Sequence, residues 1–267
     1  MYKSPQWLTD NEFKGRKTKV VIIGAGGTGS ELISQLFKIN YTLIELGSAG
    51  LDVTLIDDDI VSPTNIGRQS FYPFDISQPK SKTLIDRFNT FGNLNWEYVI
   101  ERVTPQNIRN FIPNNCVVFT CVDNPIARVT VGEHLKKRIK SEVIWIDGGN
   151  GRSDGQVVCG TYENRQDLPF ARLPSVYDLY GQQLKTQEYI PTESCSHVEA
   201  IRAQTLGINN AIAMQMTQLI WQLIREGEIH AHGAIVDLKS FTVNALPIDA
   251  EIWTMFGFTS SPCANCE

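Results

Sequence analysis

The stretch "KVVIIGAGGTGSELI", residues 19–33, constrains the fold more than any other part of the chain. Its apolar run at 20–23 has the continuity of a strand buried on both faces. Gly24, Gly26 and Gly29 follow in G-x-G-x-x-G spacing, and a helix is expected from about Ser30 to Phe37. Glycines there permit a tight turn and a close backbone approach to a phosphate, which the free N–H groups of the helix N-terminus then bind. A strand, a glycine turn and a helix in that order open a parallel, doubly wound sheet.

The following residues continue the alternation. "DVTLIDDD" (52–59) is the second strand, and residues 40–51, which hold Gly47 and Gly50, read as an insertion before it. Residues 78–91 form a helix with apolar positions 84, 85, 88 and 91, and residues 95–103 alternate as a strand. Residues 114–124 are a buried strand, 125–140 a helix and 142–150 a further strand. This predicts an α/β, Rossmann-like, doubly wound and mostly parallel sheet with helices on both faces. After residue 150 the texture changes. Residues 155–164 read as a strand on a sheet edge, 165–194 as a long loop, 199–226 as the longest helix and 232–248 as a pair of strands. The expected organisation is one integrated domain. An arm at 1–18 precedes a nucleotide-binding core at 19–165 and a crossover loop at 166–198. Residues 199–267 then supply a helix, antiparallel strands on the C-terminal side of the sheet and a cysteine-bearing tail.

Composition removes several classes. A chain of 267 residues with 42% hydrophobic and 20% charged residues can bury a sizeable core. A net charge of −5 offers no basic footprint for nucleic acid. No window approaches the roughly 18 unbroken apolar residues of a membrane helix, and the N-terminus lacks the apolar core of a signal peptide. A soluble, cytoplasmic protein is expected, in which the six cysteines are reduced thiols or metal ligands.

The polar residues at strand ends carry the chemistry. Asp57 ends the second strand, where an acid bonds ribose hydroxyls; it lies 33 residues after Gly24, further than the usual ~20, and the insertion accounts for the excess. Glu45 is nearer that spacing but does not end a strand. Asp59, Asn65, Arg68, Gln69 and Lys80 follow, and the strand at 114–124 brings Asp123 and Asn124 to the same rim, with Arg128 one turn on. Arg68 and Lys80 can hold a polyphosphate and stabilise a departing pyrophosphate. Asp123 can hold a magnesium ion, and Asn65 can orient phosphates. A nicotinamide enzyme would instead need a proton donor, and the only histidine near this region, His134, falls inside a helix.

The combination "GAGGTG … LIDDDIVSPTNIGRQ … QPK … CVDNPIAR" resembles the ThiF/MoeB superfamily, which includes the ubiquitin-activating enzymes. The insertion at 40–51, "NIGRQSFYPFDI", "DGQVV" and "ESCS" resemble the ThiF-like proteins of the plasmid-associated PRTRC cassette. The resemblance implies ATP- and magnesium-dependent adenylation of the C-terminal carboxylate of a small ubiquitin-like protein, by a homodimer. It implies that Gly24, Gly26, Gly27 and Gly29 form the nucleotide loop and that Asp57, with Asp59 beside it, meets the ribose side. Asn65, Arg68 and Lys80 would take the phosphates and Asp123 the metal. The family's N-terminal R-Y-x-R-Q segment, whose arginine reaches a partner subunit's ATP, is missing here; Lys14 and Arg16 are poor substitutes. Two alternatives stand beside this reading: a non-catalytic nucleotide-binding scaffold that docks a ubiquitin-like protein, and an NAD-dependent oxidoreductase.

Family members also carry a structural zinc on two C-x-x-C pairs. Here one pair exists, Cys263 and Cys266, and Cys195 with His197 would have to complete a tetrahedral set. Cys195 has a rival role as a thioester-forming nucleophile ahead of the long helix. His230 and His232 point two imidazoles to one side of a strand and read as surface residues.

Overall fold

The computed structural model describes residues 1–13, 15–138, 142–163, 165, 170, 172–187 and 204–259. Strand β1 (Tyr2–Lys3) and helix α1 (Gln6–Phe13) form the N-terminal arm. The core then opens with β2 (Thr18–Ile23), α2 (Gly27–Glu45) and β3 (Leu51–Ile56). Helix α3 (Lys80–Gly92) and β4 (Glu97–Val99) follow, then α4 (Ile108–Phe111), β5 (Cys116–Thr120), α5 (Pro125–Lys136) and β6 (Val143–Asn150). Next are β7 (Asp154–Tyr162), α6 (Val176–Thr186), α7 (Ile208–Arg225), β8 (Glu228–Ile229), β9 (Ala231–Asp237), β10 (Thr242–Pro247) and α8 (Ala250–Met255).

Eight strands make one sheet in the order β10-β9-β7-β6-β5-β2-β3-β4, and β1 pairs with β8 in a separate ribbon. The five strands from β4 to β6 are parallel, and β7, β9 and β10 continue the sheet antiparallel. The chain leaves β2 for β3 and β4 on one side, then crosses back to β5 on the other. The carboxyl end of β2 is therefore a topological switch point, where open α/β sheets bind ligands.

Alternation along the central strands builds two cores. Val20 and Ile22 of β2, with Val117 and Phe119 of β5, join the layer that contains α2 and α7. Val21, Ile23, Cys116 and Val118 join the opposite layer with residues of α4, α5 and α6. Strands buried on both faces need continuous apolar runs, and these have them.

Several elements depart from the sequence expectation, each for a local reason. The first half of the insertion at 40–51 is helix: α2 runs on to Glu45 because Ile39 and Leu43 continue its buried stripe. The turn after it uses Gly47 and Gly50 at φ of 86° and 81°, and Asn40 Oδ1 accepts a hydrogen bond from the Leu51 N–H at 2.7 Å. The expected strand at 95–103 contracts to the three residues of β4. The expected edge strand at 155–164 is internal, since β9 pairs with the far side of β7. The stretch read as loop at 165–194 contains α6, which Ser175 and Asp178 start with a reciprocal capping box. Of the helix expected at 199–226, residues 199–203 lie outside the described residues; α7 begins at Ile208, after Gly207 at φ 91°, and at 18 residues it is shorter than α2 at 19. His232 is not a surface residue. It is 3% exposed; its Nδ1 faces the Cys159 carbonyl oxygen at 3.3 Å and its Nε2 accepts from the Trp253 indole N–H at 3.2 Å. Burial lowers its pKa to about 4. His230 is exposed beside Glu228. Among the described residues no helix is long and apolar enough to cross a membrane.

Candidate functional site

A cleft of about 660 Å³ opens over the carboxyl ends of the parallel strands. Gly24, Gly26 and Gly27 form part of its floor, and Asp57, Asp59, Asn65, Arg68, Lys80 and Asp123 stand around it. With Gln69 and Arg128, which line it as well, eleven of the residues singled out from the sequence share one cavity. Gly29 lies beneath: a Cβ there would overlap the Gly24 carbonyl oxygen, so it serves the packing of the loop and does not line the cleft.

The glycines have separable reasons. Gly24 adopts φ +99°, and a Cβ would meet the Cys121 carbonyl oxygen at 2.6 Å. Gly27 is pressed against the Asn209 side chain. Gly26 has neither constraint; a Cβ on it would meet nothing within 4 Å. It is the N-cap residue of α2 and lines the cleft, so the space beside it is a cradle that a side chain would begin to fill. A phosphate against the first N–H groups of α2 fits that cradle.

Asp57 is fixed from two sides. Its Oδ2 accepts the Ala25 N–H at 2.6 Å and its Oδ1 accepts the Asp59 N–H at 2.9 Å. Burial raises its pKa, opposed by the hydrogen bond from Ala25 and by Lys80. Each oxygen keeps acceptor capacity for a hydroxyl. Glu45 lies instead at the far end of α2, exposed. Lys80 is buried at the start of α3, and its Nζ lies 3.0 Å from Asp59 Oδ2. Asp59 thus acts on Lys80 by aiming its ammonium group. Asn65 is buried; its Oδ1 accepts the Ser62 N–H at 2.8 Å, which leaves the amide NH₂ for the cleft. Arg68 is anchored by an Nε hydrogen bond to the Thr64 carbonyl oxygen at 3.0 Å, with its two terminal nitrogens unpartnered among the described residues. Asp123 is exposed at the lip.

Sequence reasoning missed a second wall. Asp147, at the end of β6, is 2% exposed and pairs with Arg128, whose Nε lies 2.8 Å from Asp147 Oδ1. The same oxygen accepts from Thr120 Oγ1, which in turn accepts the Trp145 indole N–H at 2.9 Å. Asn150, Gln156, Gln183, Gln187 and Tyr180 extend this wall along β6, β7 and α6. The Asp-Gly-Gly-Asn run at 147–150, placed at a strand's carboxyl end, was the available signal.

The cysteines divide. Cys116, Cys121 and Cys159 are buried free thiols. Burial pushes Cys116 up to about 12 and raises Cys121 and Cys159 as well, so none of the three supplies a thiolate near neutrality. Cys195, His197, Cys263 and Cys266 lie outside the described residues, as does Lys14. Among the described residues no group of three or more His, Cys, Asp or Glu side chains is arranged to hold a metal ion.

Comparison with known proteins gives consistent likenesses. The fold superposes on Escherichia coli MccB, solved with ATP, at a TM-score of 0.61 and 16% identity, covering 98% of this chain and 69% of that one. It superposes on PaaA at a TM-score of 0.58 and 16% identity, covering 91% of this chain and 66% of that one. In sequence, 134 residues are 26% identical to the adenylyltransferase and sulfurtransferase UBA4 of Yarrowia lipolytica, 48% of this chain and 31% of that protein. A stretch of 85 residues is 34% identical to the ubiquitin-activating enzyme E1-like protein of Saccharomyces cerevisiae, 32% of this chain and 12% of that protein. The matches thus span a third or less of these curated relatives' lengths. The model of the ThiF family matches residues 4–251, which is nearly the whole chain, and the chain belongs to the ThiF family.

Proposed function

We propose that this chain is an ATP-dependent adenylyltransferase that activates the C-terminal carboxylate of a small ubiquitin-like protein. The observation that carries the reading is the meeting of Arg68, Lys80, Asn65 and Asp57 around the glycine loop, in one cleft at the switch point. A hydride-transfer site has no use for two cations beside its pyrophosphate; a site that expels pyrophosphate needs them. Membership of the ThiF family and the names of the relatives, adenylyltransferase and ubiquitin-activating enzyme, support the same chemistry.

In this reading the substrate carboxylate attacks the α-phosphorus of ATP, an acyl-adenylate forms and pyrophosphate leaves. Gly26 and the first N–H groups of α2 receive phosphate oxygens, and Asp57 takes the ribose hydroxyls. Lys80, aimed by Asp59, and Arg68 neutralise charge on the leaving group. Asn65 orients the phosphates through its amide. Asp123 would hold magnesium, whose charge would further offset that of the phosphates; with one carboxylate from the protein, the remaining ligands would be phosphate oxygens and water. A homodimer, a partner subunit's arginine and a zinc ion on Cys195, His197, Cys263 and Cys266 belong to the proposal through the family resemblance. If the acyl group passes on to a thiol of this chain, the buried Cys116, Cys121 and Cys159 are unsuited and Cys195 is the candidate.

The test is exchange of labelled pyrophosphate into ATP, with small ubiquitin-fold proteins ending in Gly-Gly that are encoded beside this chain as probes. Exchange that requires one of them is expected. Asp123→Ala should lower it at least a hundredfold without moving the thermal midpoint. Absence of exchange with every such protein, alongside tight binding of one, would favour the non-catalytic scaffold.

A further inference from the structure

The cleft has two walls of different chemistry. In the sheet order, the site residues at successive strand ends run Asp57 on β3, Gly24 on β2, Asp123 on β5, Asp147 on β6 and Gln156 on β7. Among the described residues, every charged side chain that lines the cleft belongs to the first part of that series, which ends with the Arg128–Asp147 pair. Beyond it the described lining residues are neutral: Asn150, Gln156, Gln183 and Gln187 with Tyr180 and Leu184.

Arg128 is the unusual residue at the junction. It is only 9% exposed, yet it lines the cleft. Its Nε is taken by Asp147 Oδ1 at 2.8 Å and its Nη2 by the Gly148 carbonyl oxygen at 3.1 Å. Its Nη1 has no partner among the described residues. Arg128 lines the cleft, and Nη1 is not among the buried polar atoms left without a partner, so this nitrogen stands open to a ligand that enters there. Asp147 already supplies one negative charge, so the pair is close to neutral. A polyphosphate brought against it would face the Asp147 carboxylate, and Arg68 and Lys80 serve that ligand elsewhere. A single carboxylate, one charge on a flat group, is the better match to one free N–H edge.

We propose that Arg128, held by Asp147, receives the terminal carboxylate of the peptide to be activated, and that the amide-bearing wall beyond it binds the uncharged segment before that carboxylate. The inference rests on the adenylation reading. Each Asn or Gln side chain carries both a donor and an acceptor, the same complement as a peptide unit. Such a wall reads backbone, not side-chain charge. Asp147 is then a positioning residue: it touches no substrate and sets the direction of Nη1.

The experiment measures binding, independently of turnover. The full chain is labelled with ¹⁵N-arginine, loaded with a non-hydrolysable ATP analogue and magnesium, and titrated with N-acetyl-tetraglycine as the free acid and as the C-terminal amide. Substituting Arg128→Lys assigns the Arg128 Nε–H signal. The free acid should shift that signal and bind at least tenfold more tightly than the amide. Asp147→Asn, checked for an unchanged thermal midpoint, and the more conservative Asp147→Glu should reduce that tenfold preference to less than threefold. Raising salt should weaken the acid's binding, while a tail extended by further uncharged residues gains affinity at any salt. Equal binding of acid and amide, no shift at Arg128, or a shift produced by the nucleotide analogue alone would overturn the proposal. The adenylation reading fails separately, by absent pyrophosphate exchange.

Discussion

The parallel and antiparallel halves of the sheet contribute to one cleft in different ways. In the parallel half each strand delivers its carboxyl end to the same rim, so Asp57 and the glycine loop become neighbours through strand pairing alone. Their contacts join neighbouring strand ends and the loops that leave them: Asp57 holds Ala25 and Asp59, and Lys80 holds Asp59. In the antiparallel half the site residues meet by two different routes. Gln156 comes beside Gly149 by a turn-back between β6 and β7, and Asn209 arrives at the start of α7, where its Nδ2 donates to the Arg68 carbonyl oxygen at 3.1 Å. The first half therefore presets the cradle beside Gly26 by strand pairing, and the second builds a wall whose members depend on tertiary packing.

The comparison is most easily broken at the glycines of the first half. Gly29→Ala places a methyl group on the Gly24 carbonyl oxygen, and both groups are backbone, so the loop must move. A loss of about 3 kcal/mol or more in unfolding free energy is expected, at the top of the range for overpacking. Gly26→Ala should leave the thermal midpoint within about 2 °C, as for a small surface change, while weakening ATP binding at least tenfold. Calorimetry of both variants separates a glycine needed by the fold from one needed by the ligand. Equal stability losses would remove that distinction.

The ion pairs sharpen the contrast. Arg128–Asp147 is buried on both sides, whereas Lys80–Asp59 joins a buried ammonium to a carboxylate 58% exposed. Asp147→Ala strands a buried guanidinium and should cost about 3 kcal/mol in urea unfolding. Lys80→Ala should cost about 1 kcal/mol, since water already reaches its partner, yet abolish pyrophosphate exchange. The reverse order of stability effects would contradict the burial difference.

The two halves differed equally in how much could be read beforehand. That Gly24, Asp57, Arg68, Lys80 and Asp123 meet in one cleft was legible because strand, turn and helix signals sit within a few residues of each. Asp147 was hidden: an acid ending a buried strand looks the same in sequence whether it faces a cleft or solvent. Helix α6 was missed because Pro174 and Gly181 masked the Ser175-x-x-Asp178 box, and His232 because period two gives a face but not what covers it. Trp253 of α8 covers it, from 21 residues away in sequence.

His232 gives the antiparallel half a pH dependence. Its folded pKa of about 4 lies below the ordinary 6.5, since burial disfavours the imidazolium. The unfolded chain therefore binds the proton more readily, and stability is lost as pH falls from 6.5 towards 4. The loss should reach about 3 kcal/mol between those limits. Urea unfolding at pH 7 and pH 4.5 measures it, and His232→Gln should flatten this part of the profile. An unchanged slope in the variant would assign the acid sensitivity to other groups.

The smallest effect concerns α6, which carries the amide wall. Ser175 Oγ accepts the Asp178 N–H at 3.3 Å, and Asp178 Oδ2 accepts the Ser175 N–H at 2.9 Å. Arg172 also clamps Asp178, at 2.7 Å and 2.9 Å, and these bonds with Ser175 hold its carboxyl at about 2 in spite of burial. Ser175→Ala removes the cap hydrogen bond together with the Ser175 Oγ contacts to Asp178 Oδ2 at 2.7 Å and the Tyr162 hydroxyl at 2.9 Å, and leaves the Arg172 clamp. A loss of about 1 kcal/mol is expected from capping alone. Because Gln183 lies in α6 and Gln187 caps its C-terminal end, the same variant should loosen binding of the N-acetyl-tetraglycine acid about threefold while leaving ATP affinity unchanged. A matching loss of ATP affinity would mean that the two walls are mechanically coupled, and that the cleft is one site with no separable halves.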